Sequence, residues 1–482
     1  MSAMLGFGVP LLRVPSLAQS GQFSSLEAKA HYEAAIGLSE RSEWRGAMLE
    51  LNRALKYEPD NPAILVELGI TWGELKEWDQ AIRVLKRAVE LAPNSVRAHY
   101  NLAATLDRAS PGQRLGIPEY RKALKIDPTD VGSLVNLASD VGDRDSAAAR
   151  RMLEKALKTD PKNARAHFNL ALLLKNSQDR QGSIKAMQKA IDLEPDSVEF
   201  RRQFVSLLLS EGRSDEAIVQ CQQMLKRDET DWNSHSTLGR ILIRQGEQEE
   251  GEKELQKAER IRQLQKVQEA VETSVKQGTS AMNQGKFEEA ITKFGAALEL
   301  DKGSMQAWMY LGVALAAAGH LDQGIERLNQ AIKMDPSSPR AHHNLGTVLL
   351  QAGRIDLAQR EFEKALELDP YFPEAHNNLG LIFSRNNQES KAIDHFRVAT
   401  ELNPRYLEAL FNLGLALRSV NRIEEAVRAF GEAAKVAPDN AQVQRALGMA
   451  LKDKGDLTAA KQAMDRADAL QGQAESNVEN SK

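Results

Sequence analysis

At 482 residues, with 63 basic against 67 acidic side chains and a net charge of −4, the chain offers no broad electrostatic footprint for nucleic acid or an anionic membrane. Apolar residues make up an ordinary 42%, but aromatics are only 5%, fewer than a set of large aromatic-cored domains would use, so many small and similar interfaces suit the composition better. The single cysteine, Cys221, excludes an internal disulfide and a thiolate metal cluster within one chain.

Residues 1–27 read as a leader. Leu5 to Leu12 is apolar, and Ser16-Leu17-Ala18 before Gln19 has the small-x-small form of a signal-peptidase site. Against this stand the lack of a basic stretch after Met1, Pro10 inside the apolar run, and Arg13 where an export signal should still be apolar. Two readings stay open: a signal peptide on a protein exported to a periplasm or cell envelope, or a disordered leader on a cytoplasmic one. No run of about eighteen uninterrupted apolar residues occurs, which argues against a membrane-spanning helix.

Beyond the leader the prolines expose a period. Pro59, Pro93, Pro128, Pro161 and Pro195 are spaced by 34, 35, 33 and 34 residues, and Pro336, Pro370, Pro404 and Pro438 by 34 each time, with Glu229 and Lys302 in the same phase. Placing this residue at position 32 of a repeat gives thirteen repeats, the first starting near Ala28 and the last near Ala441. Position 7 is mostly leucine, as in Leu68, Leu102, Leu345 and Leu379, and a small residue such as Gly69, Gly346 or Gly380 follows it. Positions 20 and 27 are small, as in Ala358 and Ala365, and position 24 is bulky, as in Leu85, Phe362, Phe396 and Phe430. Apolar residues three, four and seven apart form a helix stripe, and small residues within it admit a second helix at close range. Each repeat is therefore predicted to be an antiparallel helix pair, A then B.

Local signals mark the helix ends. Position 15 holds Gly212, Gly246, Gly285, Gly319, Gly353, Asn387, Asn421 and Gly455 in eight successive repeats, residue types that tolerate the left-handed conformation of an A-to-B turn. The position-32 proline ends helix B. Position 34 then supplies an N-cap to the next A helix, as in Asn61, Ser95, Asp130, Asn163, Ser197, Asp231, Ser304, Ser338 and Asn440.

The phase breaks at two places. Pro111 and Pro118 fall where the turn and second helix of the third repeat should lie, which predicts a short helix B there. From Glu229 to Lys302 the step is two repeats plus five residues, and an apolar stripe through Leu255, Ala258, Ile261, Leu264, Val267, Val271 and Val275 predicts one long helix or a barely interrupted pair. Gly251 and Gly278 weigh against a continuous helix, each costing about 1 kcal/mol relative to Ala. Seven repeats over 28–265 thus precede a helical continuation at 266–270 and six repeats over 271–474. In the closing repeat Gln442, Gln444, Lys452, Lys454 and Lys461 suggest the polar outer face of a terminal cap, and a disordered tail is expected over 475–482.

On these positions the chain is identified as a member of the tetratricopeptide repeat family over roughly residues 28–474. Segments such as AHHNLGTVLLQAGRIDLAQREFEKALELDP also resemble the repeat array of O-GlcNAc transferases, though no comparable catalytic domain is expected. The resemblance implies an all-α solenoid, a right-handed superhelix whose concave groove is lined by A helices at positions 2, 5, 6 and 9 and commonly binds peptides or extended protein segments.

His31, His99, His167, His235, His342 and His376 all occupy position 4. Packed helices lie about 8–10 Å apart whereas zinc–nitrogen bonds are about 2.0–2.1 Å, so these histidines favour helix packing over a shared metal ion. Cys221 falls at bulky position 24 and reads as core. No phosphate loop, HExxH motif or nucleophile elbow occurs, so neither an enzyme nor a cofactor is expected. The candidate binding residues are asparagines at position 6, namely Asn101, Asn136 and Asn169, then Asn344, Asn378 and Asn412, joined by Arg97, Arg165 and Arg340 at position 2, which could meet acidic ligand groups. Asparagine could equally cap or bridge helices. The expected function is a non-catalytic scaffold for a protein or peptide partner; alternatives are a structural spacer or oligomerisation array, or an accessory module to a glycosyltransferase.

Overall fold

Residues 23–479 are described by the computed structural model, and every regular element among them is an α-helix, twenty-five in all. The leader up to residue 22, with its candidate cleavage site, and residues 480–482 lie outside the described residues. The helices pair in the predicted phase, from A1 (Leu26–Glu40) and B1 (Trp44–Tyr57) to A13 (Ala441–Lys454) and B13 (Leu457–Glu479). B13 stays helical to Glu479, past Glu475 where the sequence suggested that the tail begins. Two compact units result, one up to Gln265 and the other from Lys266.

The end signals act as chemistry demands. All nine polar residues at position 34 accept a hydrogen bond from a first-turn amide of the following A helix, as Ser95 does from Ala98 and Asn440 from Val443. All eight Gly or Asn residues at position 15 have positive φ. Ser42, Lys76 and Gln178 hold the same position with φ of 62°, 63° and 63°, which their side chains did not announce. In the third repeat the turn is replaced by a loop and helix B shrinks to Ile117–Ile126.

Helix Gln248–Asn283 runs unbroken for 36 residues, serving as B7 at its start and A8 at its end. Its glycines are contact points and not weak points. A Cβ on Gly251 would stand 2.8 Å from the Gly239 carbonyl oxygen, and one on Gly278 would stand 2.6 Å from the Phe294 ring.

Gly278 is one case of the rule that sets the A-to-B distance. The bulky position-24 side chain of helix B enters the space left by the small position-8 residue of helix A: Leu85 against Gly69, Phe362 against Gly346, Phe396 against Gly380 and Phe430 against Gly414. The inserted side chains are among the most completely buried in the molecule, and the alanines at positions 20 and 27 beside them are 0% exposed in the same repeats. Cys221 takes this position in the sixth repeat. It is wholly buried, and burial pushes its thiol up to about 12.

Position 4 ties helix A to its surroundings. The Nε2 atoms of His99, His167, His235, His342 and His376 meet the carbonyl of the preceding position-32 residue at 3.0–3.2 Å. Where histidine is absent, Arg201, Trp308 and Gln444 donate to the same carbonyl. Gln444 is thereby 5% exposed and does not belong to the polar outer face expected of it. The Nδ1 atoms of His31, His99 and His342 face Glu50, Glu119 and Glu361 of helix B at 2.6–2.7 Å, and that of His235 faces Glu254. Burial alone would raise the Glu119 and Glu254 carboxyls, but Lys122 with His99, and Lys257 with His235, hold them below the usual range. Each ring is thus engaged within its own neighbourhood. No group of three His, Cys, Asp or Glu among the described residues is placed to hold a metal ion.

The repeat containing His376 departs from this scheme. His376 meets His395 instead of a glutamate, Nδ1 to Nδ1 at 2.9 Å, while its Nε2 donates to the Pro370 carbonyl. One proton must lie between the two facing nitrogens, so the pair is satisfied when both rings are neutral. Burial first, then the neighbouring His376, pushes His395 down to about 4, and burial lowers His376.

Such packing can be tested by substitution. Gly380→Ala forces a methyl group against the buried Phe396 ring and should cost about 1–3 kcal/mol, whereas Gly431→Ala, whose new Cβ would meet nothing within 4 Å beyond its own chain neighbours and helix backbone, should gain about 1 kcal/mol, both read by urea denaturation. For the histidine pair, the folded values lie below the unfolded ones, so the unfolded chain binds more protons between pH 6.5 and pH 4 and stability falls as pH drops through that window. His395→Glu restores the carboxylate of the other repeats and should shrink the loss between pH 7 and pH 5 by roughly 1–2 kcal/mol; an unchanged pH profile would count against this assignment.

Candidate functional site

In the first compact unit the candidate residues are largely spent on neighbours within the array. The Arg97 guanidinium, on A3 (Val96–Ala109), is ion-paired with Glu67 of A2 (Pro62–Glu74), and the Tyr32 hydroxyl of A1 donates to the same carboxylate at 3.3 Å. Burial, then the Glu67 charge, push the Tyr32 phenol up to about 12. Asn101 is 0% exposed, and its amide donates to the Arg97 carbonyl at 3.0 Å, so it is a core residue and not a groove residue. Arg165 bonds Glu199 of the next A helix at 2.9 Å and lies over the Phe168 and Phe200 rings. A cleft of about 710 Å³ opens beside Arg97, lined by Tyr57, Asn61, Ala63, Val66 and Ser95.

Asn136 is half-buried. Its amide reaches the Tyr100 and Tyr120 hydroxyls at 3.2 and 3.3 Å, and the Asn169 amide reaches the Val135 carbonyl of the preceding A helix at 3.5 Å. Near Tyr120 the irregular third repeat buries two carboxyls that the periodicity did not mark. Asp107 accepts from the Gly116 amide at 2.7 Å and is raised by burial, and burial with the Asp107 charge lifts Asp140 to about 7.

The second compact unit places Asn344 on A10 (Pro339–Gln351), Asn378 on A11 (Pro373–Arg385) and Asn412 on A12 (Leu407–Ser419), all three half-buried. The Asn378 amide donates to His343 Nε2 at 3.1 Å, leaving His343 Nδ1–H to face Asn344 Oδ1 at 3.4 Å. This is the neutral tautomer, in keeping with burial, which lowers the His343 value. The Asn412 amide donates to Asn377 Oδ1 at 3.0 Å, and Asn377 lies beside the Tyr406 phenol. Position 6 therefore speaks to position 5 of the preceding repeat. His343 and Asn377, the position-5 partners, were not among the candidates, although position 5 belongs to the groove-lining set and each is a polar residue 35 places before the next asparagine.

Arg340, at position 2 of A10, is exposed and forms no ion pair with any described residue. The same position of A11 and A12 carries Glu374 and Glu408, also exposed. Position 9 of successive A helices presents Leu381, Leu415 and Met449, the last two 44% and 39% exposed. Arg418 flanks them, bonded to Asp453 at 2.6 Å and lying 3.9 Å from the Met449 sulfur. This face offers amides, carboxylates and an apolar stripe. Among the described residues no helix is long and apolar enough to cross a membrane.

Comparison with known proteins agrees with this architecture. Tetratricopeptide repeat models match residues 139–198, 275–339, 315–358, 343–406 and 411–475, and a second such model matches 38–106. The chain is similar to interferon-induced protein with tetratricopeptide repeats 2 of Mus musculus, 30% identical over 122 residues, which are 24% of this chain and 25% of that one. It is also similar to protein NPGR1 of Arabidopsis thaliana, 26% identical over 192 residues, 39% of this chain and 26% of that one. The matches thus span about a quarter of the length of these curated relatives. Among solved structures, YrrB, described as a TPR protein with an unusual peptide-binding site, is 23% identical with a TM-score of 0.32, over 37% of this chain and 92% of that one. The APC/C hetero-tetramer Cut9–Hcn1 is 17% identical with a TM-score of 0.38, over 92% and 94%. With one repeat model matched over more than half of its residues, in the phase its prolines and turn glycines set, the chain belongs to the tetratricopeptide repeat family.

Proposed function

We propose that this protein is a non-catalytic scaffold that holds a peptide or an extended protein segment against the A-helix groove, with Asn344, Asn378 and Asn412 as its backbone-reading ladder. The observation that carries the proposal is the way these asparagines are held. Asn378 and Asn412 each give one amide hydrogen to position 5 of the preceding repeat, which orients the side chain. An asparagine has two amide hydrogens and a carbonyl oxygen, so each keeps a donor and an acceptor for the regularly spaced amides and carbonyls of a ligand backbone. At a net ~0.5–1.5 kcal/mol per bond, three such contacts would contribute roughly 2–4 kcal/mol. Orientation in advance lowers the entropic cost of binding.

The same bonds favour a second reading, a structural spacer, in which the asparagines serve only to join one repeat to the next. A photo-crosslinking residue in place of Leu415 should capture a recurrent polypeptide partner in cells, and one in place of exposed Lys364 on a B helix should not. Asn344, Asn378 and Asn412 replaced together by Ala should weaken that partner about thirty-fold or more while the far-ultraviolet helix signal persists. Capture at wild-type strength by the folded triple variant would make the asparagines structural and remove the ladder, and no recurrent capture at Leu415 in the wild type would favour the spacer.

A further inference from the structure

In the first compact unit, charges at position 2 are neutralised within the array, Arg97 by Glu67 and Arg165 by Glu199. The second compact unit treats the same position differently. Glu374 and Glu408 follow one another on A11 and A12, both exposed, with no side-chain hydrogen bond or ion pair among the described residues. They share a neighbour: burial first, then the fields of Glu374 and Glu408, push the Tyr406 phenol up to about 12. Arg340 and Arg405 are exposed nearby and pair with neither. On the same face Leu415 and Met449 leave an apolar stripe open to solvent.

Spacing selects the conformation that can use both features. Packed helices lie about 8–10 Å apart, and a polyproline-II segment repeats every three residues with about 3.1 Å per residue, so it returns to the same face after roughly 9 Å. One ligand turn then matches one repeat.

Resting on the groove reading above, we infer that the second compact unit binds an extended segment carrying Lys or Arg at every third residue with apolar residues between. The cations meet Glu374 and Glu408, and the apolar side chains lie on Leu415 and Met449. The neighbouring amides of Asn378 and Asn412 hold the backbone between them.

The test is fluorescence anisotropy of the full chain with labelled twelve-residue peptides that carry Lys, Gln or Glu at every third position and Leu and Pro between. The Lys peptide should bind tightest and the Glu peptide weakest, and added salt should weaken the Lys peptide alone. Glu374→Gln with Glu408→Gln should weaken the Lys peptide about three- to thirtyfold and leave the Gln peptide unchanged. Equal binding of the Lys and Gln peptides, or a double variant that binds the Lys peptide like wild type, overturns the inference. If all three peptides bind alike and all are lost in the triple asparagine variant, the groove reading survives without its basic preference. If no peptide binds, both fail. Should the double variant not fold, the salt dependence of Lys-peptide binding to the unmodified protein still separates these outcomes.

Discussion

Where position 8 is glycine, the repeat depends on one short distance, the approach of helix B to helix A at positions 24 and 8. A glycine there lets an aromatic ring or leucine lie directly on the A-helix backbone, so close that a single methyl group in its place would sit well inside contact distance of Phe362, Phe396 or Phe430. Because the interior is close-packed, this contact cannot be loosened gradually. It fixes how far apart the two helices of a pair stand, and the alanines at positions 20 and 27 extend the same closeness to the neighbouring helices. Where the pattern thins, local order changes with it, as in the third repeat, whose Tyr120 takes the bulky position but carries a hydroxyl that draws Asn136 and buried carboxyls around it.

A second constraint is polar. Just past the end of helix B the position-32 residue turns its carbonyl toward the next A helix, where it needs a donor. Histidine, arginine, tryptophan and glutamine all answer it from position 4 with a nitrogen donor. Chemical class matters less than reach and an N–H. The residue facing position 4 from helix B follows suit: glutamate opposite His99, Gln220 opposite Arg201, and Arg327 over the Trp308 ring. The repeated histidines therefore express a packing requirement.

With backbone and core so determined, the A-helix face is the surface left free to vary. The first compact unit closes much of it with internal ion pairs, while the second keeps carboxylates and leucine or methionine side chains in solvent. An exposed charge retains most of its hydration and costs little to keep unpaired, so such a face can differ between repeats without unsettling the stack.

Period, helix ends and core positions were legible in the residues themselves, because they rest on local chemistry: proline lacks a donor, Asn and Ser cap, and glycine tolerates positive φ. The long helix Gln248–Asn283 was legible only as one of two alternatives, since its glycines mean weakness in an isolated helix and close contact in a packed one. Side-chain partnership lay further out of reach. Nothing local separates Asn101, sealed in the core, from Asn412, which bridges two A helices, or marks His343 and Asn377 as their neighbours' partners. The sequence by itself determined that helices would alternate every thirty-four residues and which face of each would be buried. Tertiary structure alone decided that Ser42, Lys76 and Gln178 turn left-handed like the glycines, and which polar groups meet across repeats, because those outcomes depend on distances between helices that no single segment contains.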